Sequence, residues 1–309
     1  MNIRKTALVL ALLAASAASH AITIGNDIPA GTLGHWSADV TSGGETRFAN
    51  LTAKMVGGQI VTGDIVYDYY SYVSTGSGAF RLDGGTVTTI DSHTVQSTGS
   101  FTGSLGNQIN WTVTSTIGAD SKILKNTFSF SAANGQLGTI GLLQYLDEDV
   151  AGSGDDLFFT RGSVAGDSLE LYTVDQAGLY GVSHSGAFSA AQGLVNSSFT
   201  GWAMNQYNQM KPAITAGTQA VSPDGVIAPG LPSYDQAGIG PVYGAFDIVS
   251  VLAWNVNADA TSATIVTTLG GVPTIDDVRP PVPEPGTYAL MLGGLAVLGA
   301  VARRKAVRS

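Results

Sequence analysis

Ile109-Asn110-Trp111-Thr112-Val113-Thr114-Ser115-Thr116-Ile117 decides the fold class. Ile109, Trp111, Val113 and Ile117 fall on one side of an extended chain, and Asn110, Thr112, Thr114 and Thr116 fall on the other. Side chains alternate across a strand with period two, so this spacing predicts a β-strand with one buried face. The pattern recurs where Phe128 and Phe130 alternate with Thr127, Ser129 and Ser131, and again at Ile248, Leu252, Trp254 and Val256. Less regular strand signals lie at Ile60 to Val73, Gly85 to Gln96, Ile140 to Leu146, Leu169 to Val174 and Ala263 to Leu269.

Turn residues separate these runs at Asp83-Gly84-Gly85, Asn134-Gly135 and Gly152-Ser153-Gly154-Asp155. Short strands with such spacing predict an all-β body, an antiparallel β-sandwich, with a β-barrel as the alternative. Composition agrees: 40 Gly and only 12% charged residues in 309 suit strands and turns better than helix interiors. No period of 20 to 50 residues repeats, which argues against a solenoid or propeller. Ser183 to Gly244 breaks the pattern with Pro212, Pro223, Pro229, Pro232 and Pro241, and reads mostly as long surface loop. A short helix fits Ala203 to Met210. Trp202, Tyr207, Tyr234 and Tyr243 make this region a candidate ligand-facing loop, the plainer role being to cap the sandwich ends.

The two ends have their own logic. Met1-Asn2-Ile3-Arg4-Lys5, an apolar run from Ala7 to Ala18 and Ser19-His20-Ala21 form a basic, apolar and small-residue series. That series predicts a secretory signal peptide over 1–21, handled by the Sec machinery and cleaved after Ala21. The all-β extracytoplasmic domain then spans 22–278. A Pro-rich linker at 279–287 holds Pro280, Pro281, Pro283 and Pro285, and proline's fixed φ makes it an extended spacer. Tyr288 to Ala302 is uninterrupted apolar sequence and predicts a short transmembrane helix, at ~22 Å somewhat under a ~30 Å hydrocarbon core. A basic tail at 303–309, with Arg303, Arg304 and Lys305 as the membrane stop, stays cytoplasmic by the positive-inside rule and leaves the body outside.

Val282-Pro283-Glu284-Pro285, a short apolar helix and a terminal Arg cluster together resemble the PEP-CTERM sorting signal of Gram-negative bacteria. The resemblance covers about the last 28 residues. It implies recognition by an exosortase, a membrane protease-transferase acting near Pro283, Glu284 and Pro285. It further implies a cell-envelope or extracellular destination and an organism that makes exopolysaccharide. The body carries no part of the resemblance.

Between Ile22 and Val282, 22 acids against 8 bases leave a net charge of −14. Such a body is repelled by phosphate backbones, so nucleic-acid binding is excluded as an expectation. With no cysteine, disulfides, thiolate metal sites and a cysteine nucleophile are excluded together. Asp147, Glu148, Asp149, Asp155 and Asp156 crowd five carboxylates across a Gly-rich turn. Hard cations take oxygen ligands of this kind, which makes the cluster a candidate calcium site. The spacing departs from an EF-hand, and a solvated acidic loop is the simpler reading. No catalytic residue is assigned. A glycosidase needs two carboxyl groups flanking a sugar, and Asp147, Glu148, Asp149 and Glu170 are the candidates for that. His35, His93 and His184 lack metal-ligand spacing and read as ordinary surface or turn residues. The expectation is therefore a non-catalytic envelope or matrix protein contacting exopolysaccharide. Its rival is a secreted carbohydrate-active enzyme using the acids near 147–170.

Overall fold

The computed structural model describes residues 21–55, 57–76, 78–148, 156–175, 180–229, 231 and 247–273. The chain runs through β1 (Ile22–Gly25), β2 (Trp36–Val40), β3 (Thr46–Lys54), β4 (Ile60–Asp64), β5 (Asp68–Ser74), β6 (Ala79–Arg81), β7 (Thr86–Thr89), β8 (Thr94–Thr102) and β9 (Gln108–Ile117). It continues through β10 (Ile123–Ala132), β11 (Gly141–Asp147), β12 (Asp156–Arg161), β13 (Glu170–Asp175), β14 (Gly181–Gly186), β15 (Ser197–Gln206), helix α1 (Tyr207–Thr215), β16 (Val226–Ile227), β17 (Ile248–Val256) and β18 (Ser262–Val272).

Two sheets form. One is ordered β1-β2-β3-β5-β11-β17-β15-β16, with β4 beside β3 and β6 beside β5; the other is β12-β13-β14-β18-β10-β9-β8-β7. All pairings are antiparallel except β15 with β16. Among the described residues neither sheet closes on itself, so the barrel alternative gives way to two facing sheets.

The period-two reading of β9 holds: Ile109, Trp111, Val113 and Ile117 are buried. Ile109, Trp111 and Val113 join Val73, Leu142, Leu252 and Trp254 of the first sheet in one apolar cluster, and Ile117 joins Leu51, Tyr69 and Leu146 in a second. Burial of these side chains is the main favourable term in folding a chain without disulfides. Between the clusters runs a polar seam. Tyr69 and Thr267 hydroxyls lie 3.1 Å apart, Ser71 donates to Gln144 Oε1 at 3.2 Å, and Asn126 Nδ2 donates to the Gly44 carbonyl at 2.8 Å.

The Ser183 to Gly244 region departs from its loop reading. It supplies the end of β14, all of β15, α1 and β16. Ala203 belongs to strand, and the helix begins four residues later than Ala203 to Met210 suggested. Neighbouring strands decide this: β15 is paired over nearly its whole length with β17, whose own pattern is strongly apolar. All but Ala21 of the expected signal peptide (1–21), and all of the linker, apolar run and basic tail, lie outside the described residues, and no described helix is long and apolar enough to cross a membrane.

Candidate functional site

The acidic cluster is only partly in view. Asp147 ends β11 and Glu148 follows it, both buried. Tyr145 donates its hydroxyl to Asp147 Oδ2 at 3.0 Å. Asp149 and Asp155 lie outside the described residues, and Asp156 is described only through its backbone at the start of β12. Glu170 sits in the opposite sheet, where it accepts from the Tyr172 hydroxyl at 2.7 Å. Among the described residues no three His, Cys, Asp or Glu side chains gather in a metal-holding group. Pro283, Glu284, Pro285, Arg303, Arg304 and Lys305 also lie outside them.

What the fold assembles instead is a tyrosine and charge cluster on the outer face of the first sheet. Antiparallel register lines up outward residues of neighbouring strands: Asp68 opposite Asp147, Tyr70 opposite Tyr145, and Tyr72 opposite Leu143. Directly opposed side chains touch, so these rows become contacts. Tyr70 and Tyr145 rings stack at 6.4 Å between centroids, and Tyr72 meets Tyr145 edge-on at 6.3 Å. Helix α1 lies over this face through Met210 and Ile214, which join Tyr70, Tyr145 and Val251 in one apolar cluster.

Charges arrive from three elements. The buried turn Ser42-Gly43-Gly44 delivers Glu45, which takes a two-pronged hydrogen bond from the Nε and Nη2 of Arg81 on β6. The Arg81 guanidinium lies 3.6 Å from the Tyr70 ring centroid. From α1, Lys211 donates to Asp68 Oδ2 at 2.7 Å and stands 5.2 Å from the ring centroids of both Tyr70 and Tyr207. Such charge-to-ring contacts contribute about 0.5–2 kcal/mol each, more when desolvated.

Burial dominates the electrostatics. It pushes the Glu45 carboxyl up to about 7 against the opposing pull of Arg81, and Arg81 itself stays protonated. Tyr70 is raised to about 12, first by burial and then by Asp68, so its hydroxyl remains neutral at any physiological pH. Burial lowers the Lys211 ammonium, but the Asp68 hydrogen bond more than offsets this and the net shift is upward. Glu45, Asp68 and Asp147 are thus each engaged by a specific partner.

Beside α1 an open cleft of about 700 Å³ is lined by Tyr207, Asn208, Lys211, Pro212, Thr215 and Ala216. Pro212 carries no N–H, so the Asn208 carbonyl lacks the helical donor that position would normally supply. The cleft therefore offers an aromatic ring, an amide and one ammonium group. Tyr207 belongs to the candidate ligand-facing group. Trp202 does not: it is buried and donates to the Pro223 carbonyl at 3.2 Å. Tyr234 and Tyr243 lie outside the described residues. Glu45, Arg81 and Asp68 were missed, although the dense Tyr69-Tyr70-Ser71-Tyr72 run is a sequence signal for this face.

Comparison with protein families gives one match, the PEP-CTERM protein-sorting motif, at residues 281–305. The chain carries a PEP-CTERM sorting tail. The PEP-CTERM match takes in Pro283, Glu284 and Pro285 at one end and Arg303, Arg304 and Lys305 at the other. The motif marks the chain as a sorted, exported protein and implies processing by an exosortase. No curated protein matches the sequence. Among solved structures, an aldose epimerase (GalM) homologue from C. elegans aligns with a TM-score of 0.44 and 10% identity, over 82% of this chain and 100% of the other. A bacterial glucoamylase complexed with acarbose aligns with a TM-score of 0.38 and 10% identity, over 84% of this chain and 37% of that one. At these scores neither likeness bears on what this protein does.

Proposed function

We propose that the exported body is a non-catalytic envelope or matrix module that contacts polysaccharide through the face bearing α1, and that the tail holds it at the membrane until exosortase releases or transfers it. The observation that carries this reading is the cleft beside α1. Its Tyr207 ring, its hydroxyl and amide groups and the Asp68-anchored Lys211 suit the mixed apolar and polar surface of a sugar. Pairing of the nearby acids supports the non-catalytic part. Asp147 is buried, and both it and Glu170, two of the acids a carbohydrate-active enzyme would draw on, accept from a tyrosine hydroxyl.

Protein purified from its own envelope is expected to begin at Ile22 and end near Pro283 by intact mass; retention of Arg303 to Ser309 would reduce the tail to a simple anchor. The same material should be retarded in gels containing polysaccharide from the producing cells, without releasing reducing sugar. Tyr207→Ala should weaken that retardation at least tenfold while lowering the melting temperature by only a few degrees. Undiminished retardation in this variant, or sugar turnover by the unmodified protein, would overturn the reading.

A further inference from the structure

A second recess opens past the C-terminal end of α1, on the same sheet face. It is a groove of about 290 Å³ over the ends of β5, β11, β17 and β15. Its depth follows from small outward residues on registered neighbours. Ser74 pairs with Gly141 and Gly141 with Asn255, while Leu143 pairs with Ala253 and Ala253 with Gly201. The floor is therefore Gly141, Leu143 and Ala253.

One wall is shaped by a β-bulge between Phe199 and Gly201 that turns Thr200 into the groove. Gly201 has φ 150°, and a Cβ there would meet the Ser222 backbone at 2.5 Å, so glycine is required for this close approach. Bulges that re-aim a side chain cluster at binding sites.

The polar rim consists of Ser74, Thr139, Thr200, Gln219 and Asn255, and no described lining residue is charged. The side chains of Thr139, Thr200 and Asn255 make no hydrogen bond to another described residue, which leaves donors and acceptors aimed at solvent. Cleft and groove adjoin. The cleft includes Thr215 and Ala216, while the groove includes Ile214 and Gly217.

We propose that cleft and groove form one path for an extended, uncharged glycan chain that crosses the C-terminal end of α1. The proposal rests on the polysaccharide-contact reading and adds to it the length and charge class of the ligand. Uncharged hydroxyls and amides around an aliphatic floor match the hydroxyl edges and C–H faces of neutral sugars. An acidic polymer would face a body of net charge −14 with no cation in the groove. A peptide strand would seek a free sheet edge, whereas the groove floor is a sheet face.

The test is calorimetric titration of the mature envelope-purified protein with linear neutral glucan and galactan oligomers of one to six units, and with uronic-acid oligomers of equal length. Affinity for the neutral series is expected to rise at least tenfold with length and then level off. Gly141→Leu, whose side chain enters the groove without a backbone clash, should flatten the series to the value of the shortest oligomer. Asn255→Ala should lower the plateau about threefold and guards against misfolding of the first variant. Tyr207→Ala should weaken every length alike. Length-independent binding, equal affinity for uronic-acid oligomers, or groove variants that bind like the unmodified protein would overturn the path while leaving the cleft intact. Absence of binding to any saccharide would overturn both.

Discussion

Replacing Arg81 with methionine is expected to destabilise the body by about 3 kcal/mol at pH 8 and by much less at pH 5. Glu45 is 2% exposed, and the Arg81 fork is its closest counter-charge. Methionine keeps much of the aliphatic packing over Tyr70 but leaves an ionised carboxylate in a buried site. Stranding one member of a buried pair costs far more than the pair's net stabilisation. The pH dependence follows from the carboxyl's upward shift, to about 7 in the folded protein. Without Arg81 it moves further up, so near pH 5 the group is a neutral acid and its burial costs less. Denaturant unfolding at the two pH values checks this, and an equal loss at both would mean that Glu45 is not the group responsible.

His184→Gln is expected to make the protein about 2 kcal/mol more stable at pH 5 than at pH 7.5, whereas the unmodified protein should be nearly level over that interval. Two opposing titrations meet here. His184 is fully buried between the sheets, its Nδ1 2.9 Å from Ser250 Oγ and its ring edge-on to Tyr69 at 5.7 Å. Burial lowers its pKa to about 3, so the stability it supports is present above pH 6.5 and is lost as pH falls toward 3. Glu45 has the reverse sign: its raised pKa gives stability present below pH 4.5 that is lost as pH rises through 7. From pH 7.5 to 5 the two changes are each about 2 kcal/mol and nearly cancel. Removing the histidine uncovers the Glu45 gain, and Glu45→Gln should uncover the His184 loss, about 2 kcal/mol of weakening at pH 5. Melting curves of both variants that parallel the unmodified protein would sink the account.

His184 is also where sequence reasoning went astray. In Gly181-Val182-Ser183-His184-Ser185 nothing distinguishes an inward histidine from an exposed one, because serine and histidine occupy both faces of a half-polar strand. Register with β18 and β13 places it inside, and Ser250 from the other sheet satisfies one of its nitrogens. β5 was blurred for the opposite reason. Both faces of Asp68 to Val73 are buried, one by the core and one by α1 and Arg81, so period two is lost. Where only one face is buried, as in β9 and β10, the strands were legible residue by residue.

The sequence by itself determined the sorting motif and the fold class. Pro283-Glu284-Pro285 and the Arg cluster are linear signals that need no folded partner, and alternation along a strand is a property of adjacent residues. Only the tertiary structure decided that Glu45, Arg81, Asp68 and Lys211 converge on three tyrosines, because even the paired Asp68 and Lys211 are 143 positions apart and meet only through the packing of α1 on the sheet. The groove has the same origin. Gly141, Ala253 and Gly201 are unremarkable in three separate strands, and they become a recess because hydrogen-bonded register sets Gly201 opposite Ala253 and Gly141 opposite Asn255, two residues along the same strand as Ala253.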